Sequence, residues 1–366
     1  MPTWLRAVLV VGLLYLFLIG VKLLEGGIKG LGSDFTDALF DSVSNPLSGL
    51  FVGILATVLV QSSSVTTSTI VGLVAAGVID VPAAVPMIMG ANIGTTVTNT
   101  IVALGSVRRS DEFRLAFTAA TMHDFFNVMA VAILLPLELL TGFLSEWAAS
   151  IALFIAGGEG LTFDSPIKGA VKWGAGLFED GYGTVVKNET AVAVIGIILG
   201  IALIFLTLMF ITKNMKVLVA TRIERSLNAV LAKSGLIGMI VGMIVTIAVQ
   251  SSSITTSVLI PLVASGILLV RNAYPITLGA NVGTTVTALL AAMAAGTVAG
   301  LTIAVTHTLF NFVAIALLYP WKRIRYIPVD LASKLADLAV RHTAAAVAYV
   351  VAFFIVLPIV GIVVLS

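Results

Sequence analysis

The polar stretch Gln61-Ser-Ser-Ser-Val-Thr-Thr-Ser68 lies in the middle of an apolar run over residues 45–79. A second apolar run, over 235–269, is interrupted in the same way by Gln250-Ser-Ser-Ser-Ile-Thr-Thr-Ser257. Each run has about 35 residues and as one helix would measure roughly 52 Å, too long for a single crossing of a bilayer core of about 30 Å. Two arms of about 16 residues reach only ~24 Å each. Each run therefore predicts a helical hairpin that enters and leaves on one side, with its polar tip inside the protein.

The two hairpins belong to an internal repeat. Val60–Thr98 aligns with Val249–Thr287 without a gap, and in both copies Gly-Ala-Asn-x-Gly-Thr-Thr-Val-Thr follows the polar tip at the same distance. Farther along, His123-Asp-Phe-Phe-Asn127 matches His307-Thr-Leu-Phe-Asn311. Apolar helices do not place Gln, Asn and Thr identically by chance, so the chain is predicted to contain two copies of one unit.

The composition places these units in lipid. The chain has 366 residues, of which 59% are hydrophobic and 10% charged, with a net charge of +2. A soluble domain carries about 25% charged residues, so a cytosolic enzyme, a nucleic-acid binder and a disordered chain are excluded. The chain has no cysteine and only three histidines, which excludes thiolate sites and disfavours a multi-histidine metal centre. No Walker A pattern is present and no matched base accompanies the serines, so an enzyme is not expected.

Seven other apolar runs are long enough to cross a bilayer as single helices. They lie near 4–24, 83–104, 115–140, 191–212, 274–296, 300–320 and 342–365. The first is interpreted as a transmembrane helix and not a signal peptide, because no small-residue cleavage site follows it. Each unit then contains three crossings and one hairpin. An odd number of crossings predicts that the second unit is inverted relative to the first.

Basic residues support this inverted arrangement. The loop Gly105–Arg114 carries three arginines, whereas its counterpart Ala295–Gly300 carries no charge. The positive-inside rule therefore places the first loop in the cytoplasm and the second outside. The segments Glu25–Ser44 and Lys213–Lys233 are predicted to be surface-lying amphipathic helices, the second on the cytoplasmic side. The N-terminus is then expected inside the cell and the C-terminus outside.

These features divide the chain into four parts. Residues 1–140 are predicted to form the first inverted repeat, and 191–321 the second. Residues 141–190 form an extracytoplasmic connection, and 322–366 an interfacial segment followed by a C-terminal span. The predicted fold is an all-α polytopic membrane protein, in which each inverted repeat has a re-entrant hairpin and an interrupted transmembrane helix.

The hairpin tips have the chemistry of an oxyanion site. Each arm that follows a tip begins with free backbone N–H groups at the positive end of a helix dipole, and serine hydroxyls add further donors. Such a helix N-terminus can bind an anion without lysine or arginine. Two tips that meet near the membrane midplane would hold a small tetrahedral oxyanion from both sides. The lack of a fixed positive charge would favour its release.

The segments Gly90–Thr98 and Gly279–Thr287 suit a hard cation. Their glycines allow the helix to unwind and free carbonyl oxygens, to which Asn and Thr side chains add more, and interrupted spans at matched repeat positions point to a transport site. Asp124 is the one acid predicted in the middle of a span. It is a candidate for cation coordination or proton coupling, or for a structural hydrogen bond to a neighbour. His123 and His307 are expected to pack helices and support the ligands.

These strings closely resemble the type II sodium-dependent phosphate cotransporter family. The resemblance is carried by the paired Gln-Ser-Ser-Ser motifs, by Met89–Leu104 and by Ala119–Asn127, and it covers residues 44–140 and 233–320. It implies uptake of inorganic phosphate driven by Na⁺, with no cofactor besides Na⁺ as the coupling ion. The phosphate site it implies comprises Ser62, Ser63, Ser64, Ser251, Ser252 and Ser253. The Na⁺ site or polar shell it implies comprises Gln61, Gln250, Asn92, Thr95, Asn281, Thr284, Thr287 and Asp124.

The chain departs from the animal members of that family in its short outer connection and its lack of cysteine. A bacterial source and a location in the bacterial inner membrane are therefore predicted. The expected partners are phosphate, Na⁺ and lipid, without nucleic acid, and the oligomeric state stays open. The residues alone also allow a symporter of another oxyanion or a carboxylate, an anion channel, or a receptor that does not transport.

Overall fold

The computed structural model describes residues 2–32, 45–157, 168–230 and 235–365, with side chains left out at 3, 168 and 216–230. Every regular element within these ranges is helical. Seven helical stretches of the described residues, some of them made of consecutive helices, are long and apolar enough to cross a membrane: Trp4–Lys29, Val81–Leu104, Ser110–Thr141, Glu189–Met215, Val270–Ala295, Val298–Leu318 and Thr343–Leu365. The predicted all-helical class is confirmed, and the seven candidate spans lie where the sequence predicts them.

The described helices follow the order of the repeat. The first unit comprises α1 (Thr3–Lys29), α2 (Pro46–Val60), α3 (Ser63–Ala76), α4 (Val81–Gly94), α5 (Val97–Leu104) and α6 (Ser110–Thr141). Two connecting helices follow, α7 (Phe143–Ala156) and α8 (Lys168–Gly183). The second unit comprises α9 (Glu189–Val230), α10 (Gly235–Val249), α11 (Ser252–Ala264), α12 (Val270–Ala295) and α13 (Val298–Leu318). The chain ends with α14 (Ile327–Arg341), α15 (Thr343–Val351), a π-helical turn (Ala352–Val356) and α16 (Leu357–Leu365).

Local sequence signals explain where the first hairpin and the next helix begin. Asn45 caps α2 by accepting a hydrogen bond from the backbone N–H of Leu47 at 2.9 Å, and Pro46 occupies the first helical position. Asp80 caps α4 in the same way through the N–H of Ala83, at 2.8 Å. The polar tips end α2 and α10, so both apolar runs consist of two short helices in which neither arm is long enough to cross a bilayer alone.

The two long helices that follow the hairpins differ. In the first unit, α4 ends at Gly94 and α5 begins at Val97, and the N–H of Thr96 between them makes a long hydrogen bond, 3.4 Å, to the carbonyl of Ile93. In the second unit, α12 runs without a break through Gly279–Thr287. This differs from the interruption that the sequence predicts for both copies. Glycine permits unwinding but does not require it, and in α12 the glycines serve close packing instead.

Glycines allow the hairpins to pack closely on these long helices. A Cβ on Gly90 of α4 would collide with the carbonyl oxygen of Leu50 on α2. A Cβ on Gly279 of α12 would collide with the carbonyl oxygen of Met239 on α10. Small residues permit such backbone contact between helices in lipid, where dispersion replaces the hydrophobic effect as the driving force. The glycines thus fix each hairpin against its own long helix.

The short helices after each unit exchange partners. Helix α7 follows α6 but packs on α13, and α14 follows α13 but packs on α6. Buried Glu138 accepts the backbone N–H of Leu144 at 2.7 Å and so caps α7. The exposed Arg114 guanidinium on α6 donates to Asp337 on α14 and lowers the pKa of that carboxyl. The exchange joins the two units, while their inverted orientation stays a prediction.

The predicted amphipathic segments are only partly within the described residues. Residues 25–29 belong to α1, and residues 33–44 lie outside the described ranges. Residues 213–230 continue α9 and do not form a separate helix, while 231–233 lie outside the described part.

Helix α1 packs along α9, so the first helices of the two units lie side by side.

Candidate functional site

The two hairpin tips have the same backbone geometry. Gln61 ends α2 and Gln250 ends α10, and both adopt a left-handed conformation with φ of 56°. Among the described residues, these two are the only ones other than glycine that have a positive φ. Residues with a Cβ rarely adopt this backbone conformation. Ser62 and Ser251 follow in extended conformations. Each serine oxygen accepts the backbone N–H three residues farther on at 3.3 Å, which caps the next helix.

Each tip glutamine is tied to the span that follows its hairpin. The side-chain oxygen of Gln61 accepts a hydrogen bond from Thr98 at 3.0 Å, and that of Gln250 accepts one from Thr287 at 2.9 Å. The amide nitrogens of both glutamines donate to the carbonyl three residues earlier on their own arm, at 2.5 and 2.7 Å. These bonds compensate for the unfavourable backbone conformation and hold each tip against its span.

A cavity of about 290 Å³ lies between the two tips. The first hairpin lines it with Gln61 and Ser62, and the second hairpin with Gln250, Ser251 and Ser253. Half of the serines that the resemblance assigns to phosphate therefore line a single space, together with both glutamines. The structure brings these residues together from positions almost two hundred residues apart in the sequence.

The other three predicted serines, Ser63, Ser64 and Ser252, are buried and are not among the lining residues. They stand in the first turn of α3 or α11. The first N–H groups of a helix have no intrahelical carbonyl partner, and they are the donors that a helix N-terminus offers to an anion. The structure therefore places these three serines next to residues that line the cavity, but not at the lining itself.

Helix α9 supplies a mainly apolar wall of the cavity, with Phe205, Leu208, Met209 and Thr212. No described residue that lines the cavity carries a basic side chain. The polar groups that remain are hydroxyls, amides and helix N-termini, whose dipoles favour negative charge. The lining can therefore accept an anion while offering it no permanent ion pair.

A buried polar network crosses from one unit to the other. His123 on α6 contacts the amide oxygen of Asn281 on α12 at 2.5 Å, and His307 on α13 contacts the amide oxygen of Asn92 on α4 at 3.3 Å. Asn281 donates to the side chain of Asn127 at 2.7 Å, and Asn127 donates to the Asn92 carbonyl at 2.8 Å. Each unit's histidine thus contacts the other unit's asparagine, which links the paired motifs directly.

The first unit contains a fully buried acid that has no acidic counterpart at the matched position of the second. Asp124 on α6 is fully buried, and the Tyr349 hydroxyl donates to its Oδ2 at 2.8 Å. Thr96, between α4 and α5, neighbours the same carboxylate. Its other oxygen, Oδ1, has no hydrogen-bond partner among the described residues. At the matched position of the second unit, the Thr308 hydroxyl donates to the carbonyl of Ala304 in its own helix at 3.1 Å.

Two of the predicted cation ligands bond within their own helices. The Thr95 hydroxyl donates to the Ala91 carbonyl at 2.9 Å, and the Thr284 hydroxyl donates to the Ala280 carbonyl at 3.1 Å. Such bonds are common for threonine inside helices. A hydroxyl that donates its proton keeps lone pairs for a cation, so both oxygens remain usable as ligands.

The structure adds residues that motif reasoning missed. Asn99 Oδ1 accepts hydrogen bonds from Thr256 and Ser257 on the second hairpin, both at 3.0 Å. Its aligned position in the second unit is Ala288, and this difference between the copies was the available signal. Tyr349 lies beyond both repeats, so comparing the copies could not have revealed its contact with the buried acid.

Comparison with known proteins gives one family. A family model described as Na⁺/Pi-cotransporter matches residues 16–157 and 203–333. The chain is 34% identical over 444 residues to sodium-dependent phosphate transport protein 2B of Pongo abelii and 33% identical over 444 residues to that of Homo sapiens. It is 32% identical over 425 residues to sodium-dependent phosphate transport protein 2A of Rattus norvegicus. Each alignment covers 97% of this chain.

The relatives are longer than this chain. The alignments cover 64% of the two 2B proteins and 67% of the 2A protein. The chain therefore spans less than two thirds of the length of the 2B relatives. No solved structure matches the chain.

Proposed function

Because the chain belongs to the Na⁺/Pi-cotransporter family, we propose that it is a secondary active transporter that carries inorganic phosphate into the cell together with Na⁺. Its seven apolar helices and its family make it a multi-pass membrane protein, and the proposed location is the bacterial inner membrane. The cavity between two capped hairpin tips carries the proposal. It presents hydroxyls, amides and helix N-termini from both units, and its described lining contains no basic side chain.

Phosphate would bind between the tips. Ser62, Ser251 and Ser253 line the cavity and can rotate their hydroxyls toward anion oxygens. The first turns of α3 and α11 add backbone N–H groups and two helix dipoles. A tetrahedral anion has four acceptor oxygens, which suits donors that converge from two sides. Without a permanent positive charge in the lining, binding is weaker and release is easier, as turnover requires.

Na⁺ would bind in the first unit near Asp124. The free Oδ1 of that carboxylate is fully buried, and hard cations prefer carboxylate, carbonyl and hydroxyl oxygens. Thr95 and Thr96 lie where α4 ends, so their hydroxyls and nearby carbonyls are the proposed additional ligands. Na⁺ bound there would neutralise a buried negative charge that otherwise repels an incoming anion. This provides a physical basis for coupling Na⁺ binding to phosphate binding.

The remaining predicted shell residues would connect the sites. Gln61 and Gln250 join the tips to Thr98 and Thr287, and the His–Asn contacts join α6 to α12 and α13 to α4. We propose alternating access in which the units move relative to each other around the cavity between the tips. Two inverted units offer two equivalent arrangements, one open to each side, which is the mechanism inverted repeats commonly support.

The competing functions make different predictions. The tips alone accept any small oxyanion or carboxylate, so competition by arsenate, sulfate and succinate separates phosphate transport from transport of these anions. Arsenate matches phosphate in shape, charge and protonation and is expected to compete, whereas sulfate, which carries no proton at neutral pH, and succinate, which is not tetrahedral, are not. A channel would conduct phosphate in the absence of a Na⁺ gradient, and it would show single-channel currents at high phosphate concentration.

The direct test is uptake of labelled phosphate into proteoliposomes that contain the purified protein. An inward Na⁺ gradient is expected to drive accumulation, and an equal K⁺ gradient is expected to leave uptake at the level of empty liposomes. Recording current at the same time gives the charge moved per phosphate. Equal uptake with Na⁺ and K⁺ would reject the proposed coupling, and competition by sulfate but not arsenate would reject phosphate as the substrate.

A further inference from the structure

The C-terminal helices lie outside both repeats but pack against the first hairpin. Helix α16 packs on α2, where Gly361 lies so close to the Phe51 ring that a Cβ would collide with it. The preceding π-helical turn also contacts α2, and α15 contacts α5. The repeat does not include these C-terminal helices. Their contacts with the first unit therefore have no equivalent in the second unit.

Tyr349 on α15 reaches the buried acid of the first unit. Its hydroxyl donates to Asp124 Oδ2 at 2.8 Å. Its ring is stacked on Phe353, with centroids 5.6 Å apart and planes 7° apart, and meets Phe354 edge-on at 5.9 Å. Two aromatic neighbours therefore fix the ring, and the ring fixes the hydroxyl at the carboxylate.

The π-helical turn explains this aromatic arrangement. A regular α-helix places residue i+4 beside residue i, whereas a π-helical turn shifts the register by one residue and brings i+5 alongside as well. Phe353 and Phe354 can thus both contact Tyr349, and Phe354 is fully buried. Turns of this kind are often found at functional sites. Here the turn directly follows the helix that carries the tyrosine.

We propose that Tyr349 is a positioning residue for Na⁺ binding, through which the C-terminal span orients the Asp124 carboxylate. This inference rests on the proposed function, because it assigns a role within the proposed cation site. The tyrosine hydroxyl occupies one carboxylate oxygen and leaves Oδ1 without a partner in the described structure. A carboxylate held at one oxygen presents its other oxygen in a defined direction, so less orientational freedom is lost when a cation binds.

The asymmetry of the molecule supports this role over simple packing. A buried tyrosine hydroxyl can donate to any nearby carbonyl, whereas this hydroxyl donates to the one fully buried acid in the described chain. The matched Thr308 hydroxyl donates to a carbonyl of its own helix and needs no external acceptor. The C-terminal span therefore contributes to cation binding through a residue that lies outside the two repeats.

The test is Tyr349→Phe, which keeps the ring and its contacts with Phe353 and Phe354 but removes the hydroxyl. A hydrogen bond to a charged group contributes enough that we expect the Na⁺ concentration for half-maximal phosphate uptake to rise about tenfold. The phosphate concentration for half-maximal uptake at saturating Na⁺ is expected to stay within twofold of wild type. Tyr326→Phe, which removes a tyrosine hydroxyl outside this site, is the matched control and should change neither value.

The outcomes separate this inference from the proposed function. Na⁺-independent uptake by the wild type would overturn both. Na⁺-dependent uptake by the wild type with an unchanged Na⁺ requirement in Tyr349→Phe would overturn only the role of Tyr349. Equal shifts in the Na⁺ and phosphate values would indicate general damage and would also overturn it. If Tyr349→Phe does not fold, Phe353→Leu, which loosens the ring, must raise the Na⁺ requirement two- to threefold without a matching phosphate shift.

Discussion

The two hairpin tips match each other almost atom for atom in their bonding, whereas the regions behind them do not. Both tips have a left-handed glutamine with φ of 56°, a serine cap at 3.3 Å and a glutamine–threonine bond near 3 Å. Behind the first tip lie a broken helix and a buried acid. Behind the second tip lie a continuous helix and a self-bonded threonine.

This difference suggests a division of labour between the units. A tetrahedral anion between the tips can use equivalent donors from both sides, so symmetry there is useful. A cation that binds beside one carboxylate needs only one such place, and a second buried acid would carry a desolvation cost without a partner. Duplication therefore accounts for the proposed phosphate site, and divergence of one copy accounts for the proposed Na⁺ site.

The largest expected effect comes from exchanging the acid for its neutral analogue. Asp124→Asn should reduce Na⁺-driven phosphate uptake by more than about 100-fold, because the charge proposed to bind Na⁺ is lost. Thr308→Val at the matched position should leave uptake within twofold, since that hydroxyl bonds only to its own helix. Initial uptake rates in proteoliposomes measure both. Similar losses in the two variants would show that the cation region is symmetric after all.

The glycine contacts should respond alike in the two units. Gly90→Ala and Gly279→Ala each place a methyl group against a hairpin carbonyl, so each should lower the free energy of unfolding by about 3 kcal/mol or more. Gly12→Ala, with open space around its Cβ position, is the control and should not destabilise. Thermal unfolding in detergent measures all three. A stable Gly279→Ala protein would mean that the second hairpin is packed more loosely than the first.

A smaller effect is expected where the two tips differ in lining. Ser253 lines the cavity and its aligned residue Ser64 does not. Ser253→Ala should therefore raise the phosphate concentration for half-maximal uptake about fivefold, the effect of one neutral hydrogen bond. Ser64→Ala should raise it less than twofold, because Ser64 does not line the cavity. A larger effect for Ser64→Ala would contradict this account of the lining.

Much of the fold can be predicted from the spacing of apolar and polar residues along the sequence. Composition and apolar run lengths predict seven spans, because lipid requires long helices with satisfied backbones. The duplicated Gln-Ser-Ser-Ser strings predict two polar tips, and the structure places Gln61, Ser62, Gln250 and Ser251 around one cavity. These features depend on local periodicity and on identity between the copies, both of which are visible in one sequence.

The remaining features depend on three-dimensional contacts that pattern does not encode. The sequence of Gly279–Thr287 nearly equals that of Gly90–Thr98, yet one helix is continuous and the other is not. The neighbours differ, with Asp124 beside the broken helix and Thr308 at the matched place. Likewise, the role of Tyr349 depends on how an unrepeated helix packs, and no motif marks it.

The most direct test of the central claim is a crystal structure of the protein with Na⁺ and arsenate, because arsenic can be located by its anomalous signal. We expect one arsenate between Ser62 and Ser251, in contact with both tips, and a Na⁺ beside Asp124 with none beside Thr308. An arsenate bound to a single tip or outside the cavity would contradict the shared anion site. Na⁺ at matched positions in both units would contradict the asymmetric cation site.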